Sequence, residues 1–438
     1  MIAVRGAGPA AVALMILAFP PYLYALTVTL SPDPPALTLP EAFRLAVNHN
    51  ERTQVSVEAV AIALQNIRLA RAAVLPTLST SLAQSRNKQA GSGGFVSFRN
   101  NRDVRIDLVQ PLYGGGKEWA VLRGAKLEES ISHENVALVH LAVRFEAAIE
   151  FFSMLRAQEK LEIVRKALDL AERQLALAQA RRTAGTAIRT EVIRSEVTVS
   201  AARRDQVRAH TDVEIARARL AFVLGRPVEG KVSPAAESPR RLRDGMPMLV
   251  QKALRRRPDY RIAELQVALA EEDIRIARAA YMPSAKLNGS VTQTQHVSSF
   301  RDRNNWQIQA SVGYDLFEGM GRDAVYEQAR RRHRQAVLEQ SQLTREIERD
   351  IRESLLEIDA FTTIREATHK EIAAARENYD RVFAQFGEGL STAVDLADAQ
   401  TTLVAAEVQR STVEADLLLA QQKLELSTGT LGEGKDTK

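Results

Sequence analysis

Residues 69–76 read LARAAVLP, and residues 276–283 read IARAAYMP. A stretch that returns about 200 residues later at a fixed offset is the mark of a duplicated unit. Working outward in the same register, Pro40 answers Pro247 and Ala46 answers Ala253. Downstream, Leu112-Tyr113 pairs with Leu316-Phe317, and Ala120-Val121 with Ala324-Val325. Gly185 then matches Gly389, Glu191 matches Asp395, and Gly225 matches Gly429. The chain thus reads as a first repeat over residues 26–225 and a second over 246–438, joined by a linker at 226–245 rich in Pro, Gly and Arg.

Each repeat predicts a short helix, a second helix, two strands and two very long helices. The long helices are expected over 118–183 and 188–225 in the first repeat, and over 321–387 and 392–428 in the second. Apolar residues recur there at spacings of three and four. One seam runs Val192, Ser195, Val199, Ala202 and on to Val223; the other runs Leu396, Ala399, Leu403, Ala406 and on to Leu424. Sustained heptads of this kind mean paired, supercoiled helices. At about 1.5 Å per residue, residues 118–182 would span on the order of 100 Å, longer than any compact domain needs.

The strands are expected over 77–88, 102–113, 285–296 and 305–317. Trp306, Ile308, Ala310, Val312, Tyr314 and Leu316 alternate with polar residues, as do Val104, Ile106 and Leu108. Segments of about ten residues with one apolar and one polar face fit transmembrane β-strands. No other hydrophobic layer in the sequence offers to cover them, and Trp119 and Trp306 are expected at strand ends, where interface aromatics belong. Four strands cannot close a barrel, and an open edge in lipid leaves backbone groups unpaired. Oligomerisation is therefore expected: two copies would give a filled bore, three a wider lumen.

Composition agrees with long helices. Aromatics are 5% of the 438 residues and charged residues 26%, with both signs interspersed. The net charge of +5 is small for this length and argues against a nucleic-acid partner. There is no cysteine, which removes disulfides, thiolate metal sites and a thiol nucleophile. At the N-terminus, Arg5 precedes an apolar run over residues 10–19, and polar, Pro-rich sequence follows. This predicts a signal peptide over residues 1–25, with Ala18 and Ala25 as candidate cleavage sites.

With the duplication, the strand-to-helix turns Pro111-Leu112-Tyr113-Gly114-Gly115 and Asp315-Leu316-Phe317-Glu318-Gly319, the hairpin glycines Gly185 and Gly389, and the run Val394-Asp395-Leu396-Ala397-Asp398-Ala399, the sequence resembles the TolC family of outer-membrane factors over nearly its whole mature length. The resemblance implies an α+β membrane protein, trimeric, with a twelve-stranded β-barrel in the outer membrane of a Gram-negative bacterium and a coiled-coil helical tunnel through the periplasm. It implies an exit duct for a tripartite efflux or type I secretion system. A periplasmic adaptor protein and an inner-membrane pump of RND, ABC or MFS type would be its partners. By motif, Asp395 and Asp398 match two acidic ring positions at the tunnel entrance; three residues apart, they share a helix face. Repeated by symmetry they would form a cation-selecting constriction, whereas read without the family they are solvated carboxylates near a helix N-terminus. Glu191, with neighbouring Thr190, falls where the family's acid ties the entrance shut through a tyrosine and an arginine. Phe386 and Ser391 stand at those two partner positions, so the family's lock is expected to be incomplete. Gly185-Thr186-Ala187 and Gly389-Leu390-Ser391 match the adaptor-docking turns.

Other signals point nowhere chemical. Gly114-Gly115-Gly116-Lys117 lacks the earlier glycine and the Ser or Thr of a phosphate loop. The seven histidines show no HExxH spacing, so no metal, cofactor or enzymatic site is expected. The basic run Arg330-Arg331-Arg332-His333-Arg334 lies among glutamates and reads as a solvated helix face. Arg99, Arg102, Arg301 and Arg303, with Phe95, Phe98 and Phe300, are expected in outer loops near lipid phosphates. The alternative function is a periplasmic coiled-coil adaptor, which would need one hairpin rather than two.

Overall fold

The computed structural model describes residues 36–90, 96–233, 245–296 and 303–432. The expected signal peptide, most of the expected linker, and Phe95, Phe300 and Arg301 lie outside the described residues. Twelve elements follow one order, given twice. The first half holds α1 (Leu39–His49), α2 (Glu51–Ala72), β1 (Thr77–Ala90), β2 (Val96–Gly114), α3 (Lys117–Thr183) and α4 (Arg189–Leu224). The second holds α5 (Met246–Arg256), α6 (Pro258–Ala279), β3 (Ser284–His296), β4 (Arg303–Gly313), α7 (Gly321–Glu388) and α8 (Ala393–Ser427).

The duplication reaches individual hydrogen bonds. Asn50 separates α1 from α2: its side chain accepts from the N–H of Arg52 and donates to the Val223 carbonyl at 3.0 Å, near the end of α4. Arg257, between α5 and α6, does not cap α6 with its side chain but makes the second of these bonds, donating to the Ser427 carbonyl at 3.2 Å at the end of α8. The helices they reach end in Gly225 and the Thr428-Gly429 turn, both glycines at positive φ. A β-carbon on Gly225 would stand 2.7 Å from the His49 carbonyl, and one on Gly429 would meet the Arg256–Arg257 backbone at 3.1 Å. Close backbone approach, as well as the left-handed conformation, reserves these sites for glycine.

Helix packing divides the molecule along its length. Near the strands, α3 packs against α2 and α6 while α7 packs against α6; farther away, α3 packs against α4 and α8 while α7 packs against α8. At 67 residues and about 1.5 Å each, α3 is about 100 Å long. The heptad seams are the buried ones: Val192, Ser195 and Val199 on α4, and Leu396, Ala399, Leu403 and Ala406 on α8. The largest core lies where α1 crosses the middle of α3. Phe43, Phe151, Phe152 and Met154 are enclosed there with Leu220 and Leu224 of α4, and the Phe151 and Phe152 rings meet edge to face at 5.6 Å. Its counterpart in the second half, around Leu249, Ile347, Ile351 and Leu424, uses smaller aliphatic side chains.

The four strands form one antiparallel sheet in the order β1-β2-β3-β4, so β2 and β3 join the two halves while β1 and β4 are its edges. Register sorts the side chains by face. Leu78, Leu108, Gly289 and Ile308 stand side by side, and the next same-face row is Thr80, Ile106, Val291 and Trp306. Between them, on the opposite face, runs Ser79, Asp107, Ser290 and Gln307; beyond lies Ser81, Arg105, Thr292 and Asn305. Over these rows one face is mainly apolar and the other polar. Nothing among the described residues covers the apolar side chains there: Leu78, Leu82, Trp306 and Ile308 are 72%, 77%, 72% and 68% exposed. No helix among the described residues is long and apolar enough to cross a membrane.

Two strand boundaries differ from the sequence reading by more than two residues. β4 stops at Gly313 rather than 317, because Gly313 pairs with Ser284, the first residue of β3, and no partner remains beyond it. β2 begins at Val96 rather than 102, its first residues being carried by pairing with β1 down to Ala90. Of the two tryptophans expected at strand ends, Trp306 lies inside the β4 ladder opposite Val291, and Trp119 is in the first turn of α3.

Candidate functional site

At the end of the molecule away from the sheet, α3 turns into α4 and α7 into α8. Both turns are built alike. α3 ends at Gly185 (φ 74°), where the N–H groups of Gly185 and Thr186 reach back to the carbonyls of Arg182 and Arg181. α7 ends at Gly389 (φ 80°), with Gly389 and Leu390 bonded to Phe386 and Gln385 in the same pattern. This double bond closes a helix C-terminus through a left-handed residue, so the chain reverses within a few positions. Thr186, Leu390 and the glycines are exposed at the tips, Ala187 and Ser391 partly so. Ile188 and Leu390 leave apolar side chains 70% and 74% exposed beside them.

α8 opens with a reciprocal cap. The Asp395 N–H donates to the Thr392 hydroxyl, while the Asp395 carboxylate accepts from the Thr392 N–H at 2.9 Å and from its hydroxyl at 2.7 Å. Those bonds hold the Asp395 carboxyl below the usual carboxylate range, the Thr392 hydroxyl first and its N–H second. Asp398 stands three residues on, exposed, and no hydrogen bond or ion pair among the described residues engages its carboxylate. Two acidic groups thus share one exposed face of the first two turns of α8.

Behind the tips the hairpins share a core of Ala178 and Val192 from the first with Ala375, Tyr379, Phe386, Leu396 and Ala399 from the second. Burial pushes the Tyr379 phenol up, and its ring stacks on Phe383 at 5.9 Å.

The structure brings Glu191 and Phe386 together through a residue that sequence reasoning missed. Arg181, in the last turn of α3, donates to the Glu191 carboxylate at 2.8 Å and to the Phe386 carbonyl at 3.0 Å. Its guanidinium also lies over the Phe386 ring, 5.0 Å from the centroid. Phe386 and Ser391 supply no cation to Glu191; the cation that meets it comes from its own hairpin. Phe386 is fully buried, and Ser391 turns its hydroxyl to the Val382 carbonyl of its own hairpin. Thr190 is exposed on the first turn of α4 and contributes no side-chain bond among the described residues. The signal for Arg181 was a basic pair, Arg181-Arg182, closing a long helix just before an acid.

The outer membrane efflux protein family model matches this chain twice, over residues 44–226 and again over 249–430. The chain belongs to the outer membrane efflux protein family. Among curated proteins it is similar to outer membrane efflux protein BepC of Brucella suis, at 24% identity over 90% of this chain and 86% of that one. It is likewise similar to outer membrane protein TolC of Vibrio cholerae, at 22% identity over 94% of this chain and 95% of that one. Among solved structures, CusC shares its fold, with a TM-score of 0.79, 18% identity, and coverage of 89% of this chain and 92% of the other. As an outer membrane efflux protein it is an exit duct of the outer membrane. The adaptor alternative is set aside, since the family match runs through both halves.

Proposed function

We propose that three copies of this outer membrane efflux protein close one twelve-stranded barrel around a shared lumen, continued by a helical tunnel whose entrance lies at the hairpin tips. The observation that carries this is the sheet. It has two edges, β1 and β4, unpaired among the described residues, and one face that is apolar through the rows of Leu108 and Ile106. In lipid such edges must pair with other copies. The face bearing Asp107, Arg105, Ser290 and Gln307 then lines water, and twelve strands leave a bore that eight would fill.

At the entrance, Asp395 and Asp398 would repeat as two stacked acidic rings that favour cations. Glu191, Thr190, Phe386 and Ser391 surround the place where the entrance is held narrow. The turns at Gly185-Thr186-Ala187 and Gly389-Leu390-Ser391 dock a periplasmic adaptor, through which an inner-membrane pump supplies substrate and energy. Exposed Ile188 and Leu390 beside those turns support an apolar docking contact. Recording the purified protein in planar bilayers tests the reading. It predicts small cation-selective steps that a trivalent cation blocks from one side. Anion-selective or unblockable steps would overturn it.

A further inference from the structure

Three helix ends converge on Arg181. It sits in the last turn of α3; Glu191 is in the first turn of α4; and Phe386, whose carbonyl it caps, is in the last turn of α7. A cation at two helix C-termini and an acid at a helix N-terminus each lie where the helix dipole favours them. The Arg181 side chain is 15% exposed and that of Glu191 17%, so the pair is screened far less than a surface ion pair.

The contact also has a place in a series. The two hairpins are tied across α3 and α8 by Arg156 to Asp416, by Ser411 to Glu159, and by Gln400 to the Ala167 carbonyl. Between Gln400 and the tips, Arg181 to Phe386 is the remaining polar tie from one hairpin to the other among the described residues. Gly389 leaves room for it, since a β-carbon there would stand 3.2 Å from Arg181 Nη2. A planar guanidinium can meet a carboxylate, a carbonyl and an aromatic face at once, which an ammonium does less well.

We propose that Arg181 is a clasp: it holds the tip of the second hairpin against the first within one chain, and it positions Glu191 at their junction. The consequence for conductance rests on the proposed entrance at the tips; the clasp itself does not.

Because the chain has no cysteine, spin labels can be placed at Ala184→Cys and Glu388→Cys alone, with labelled chains diluted among unlabelled ones. Electron–electron resonance then reads the tip-to-tip distance within a chain, and bilayer recording of the same variants reads conductance. Arg181→Ala should lengthen and broaden the distance distribution and shift the balance of spread to clasped tips by about tenfold, the scale of one charge-assisted hydrogen bond. Arg181→Lys, which keeps the charge, should fall between wild type and alanine, and Glu191→Gln should do the same. A lengthened distance with unchanged conductance upholds the clasp and overturns the entrance reading. An unchanged distance in Arg181→Ala, with the assembly intact, overturns the clasp. Should the alanine variant fail to assemble, a wild-type distance distribution in both Arg181→Lys and Glu191→Gln overturns it equally.

Discussion

Val291 stands directly across the β3–β4 ladder from Trp306, and the same row continues through Ile106 and Thr80. Ser290, one residue earlier, lies opposite Gln307 on the other face. A single-residue step therefore separates a surface suited to lipid from one suited to water. Ile106→Arg should cost about 2–4 kcal/mol if that row sits near mid-membrane, and should abolish assembly in the outer membrane. Ser290→Arg should assemble normally and alter conductance. Comparing the two variants by heat-modifiable migration and bilayer recording checks the assignment of faces.

Asp395 and Asp398 share an exposed face of α8. Replacing both with asparagine, which keeps the size and can still cap a helix, should leave barrel assembly unchanged. It should reduce cation preference and remove trivalent block. Reversal potentials under a salt gradient measure this, and full selectivity in the double variant would remove these carboxylates from the constriction.

The cap of α8 makes a separate prediction about acid. The folded-state pKa of Asp395 lies below its unfolded value, so the ionised cap stabilises the tip at pH values above the ordinary carboxylate pKa of about 3.9. That contribution is lost as pH falls through the lowered folded value. Amide exchange at Thr392 and Asp395, the two N–H groups held by the cap, should stay slow from neutral pH down to about pH 4, corrected for intrinsic rates, and rise below it. Thr392→Val removes the hydroxyl that donates to the carboxylate and should move the rise to higher pH.

Stability should depend unequally on the two halves. Phe151 and Phe152 are enclosed where α1, α3 and α4 meet, whereas the matching core of the second half is built on Ile347 and Ile351. Phe152→Ala should cost about 3–5 kcal/mol and Ile351→Val about 0.5–1.5 kcal/mol. Thermal or denaturant melting of the helical signal distinguishes these, and equal small losses would mean that the first core relaxes freely.

The fold was legible wherever a period repeated. Leu396, Ala399, Leu403 and Ala406 announced a buried seam because a heptad leaves no other reading, and they are buried. The two glycine turns were legible because chain reversal after a long helix needs a left-handed residue. The start of β2 was not, since Asn100-Asn101 breaks the alternation there and the pairing of the residues before it comes from β1. Nor was the end of β4, fixed by where β3 begins rather than by Tyr314 or Leu316. Arg181 escaped for a different reason. Its partners lie 10 residues away across a turn and 205 residues away in the other repeat, and no local pattern joins them. Family likeness directed attention to Glu191, Phe386 and Ser391, while the cation that meets Glu191 came from a helix the motif does not include.

In the proposed trimer this four-stranded sheet is a third of a closed barrel. Native mass spectrometry of the outer-membrane protein, extracted in mild detergent without cross-linking, tests it most directly. A single assembly of three chains is expected, with no smaller species until the protein is heated. A stable monomer, a dimer or a tetramer as the conducting form would contradict it.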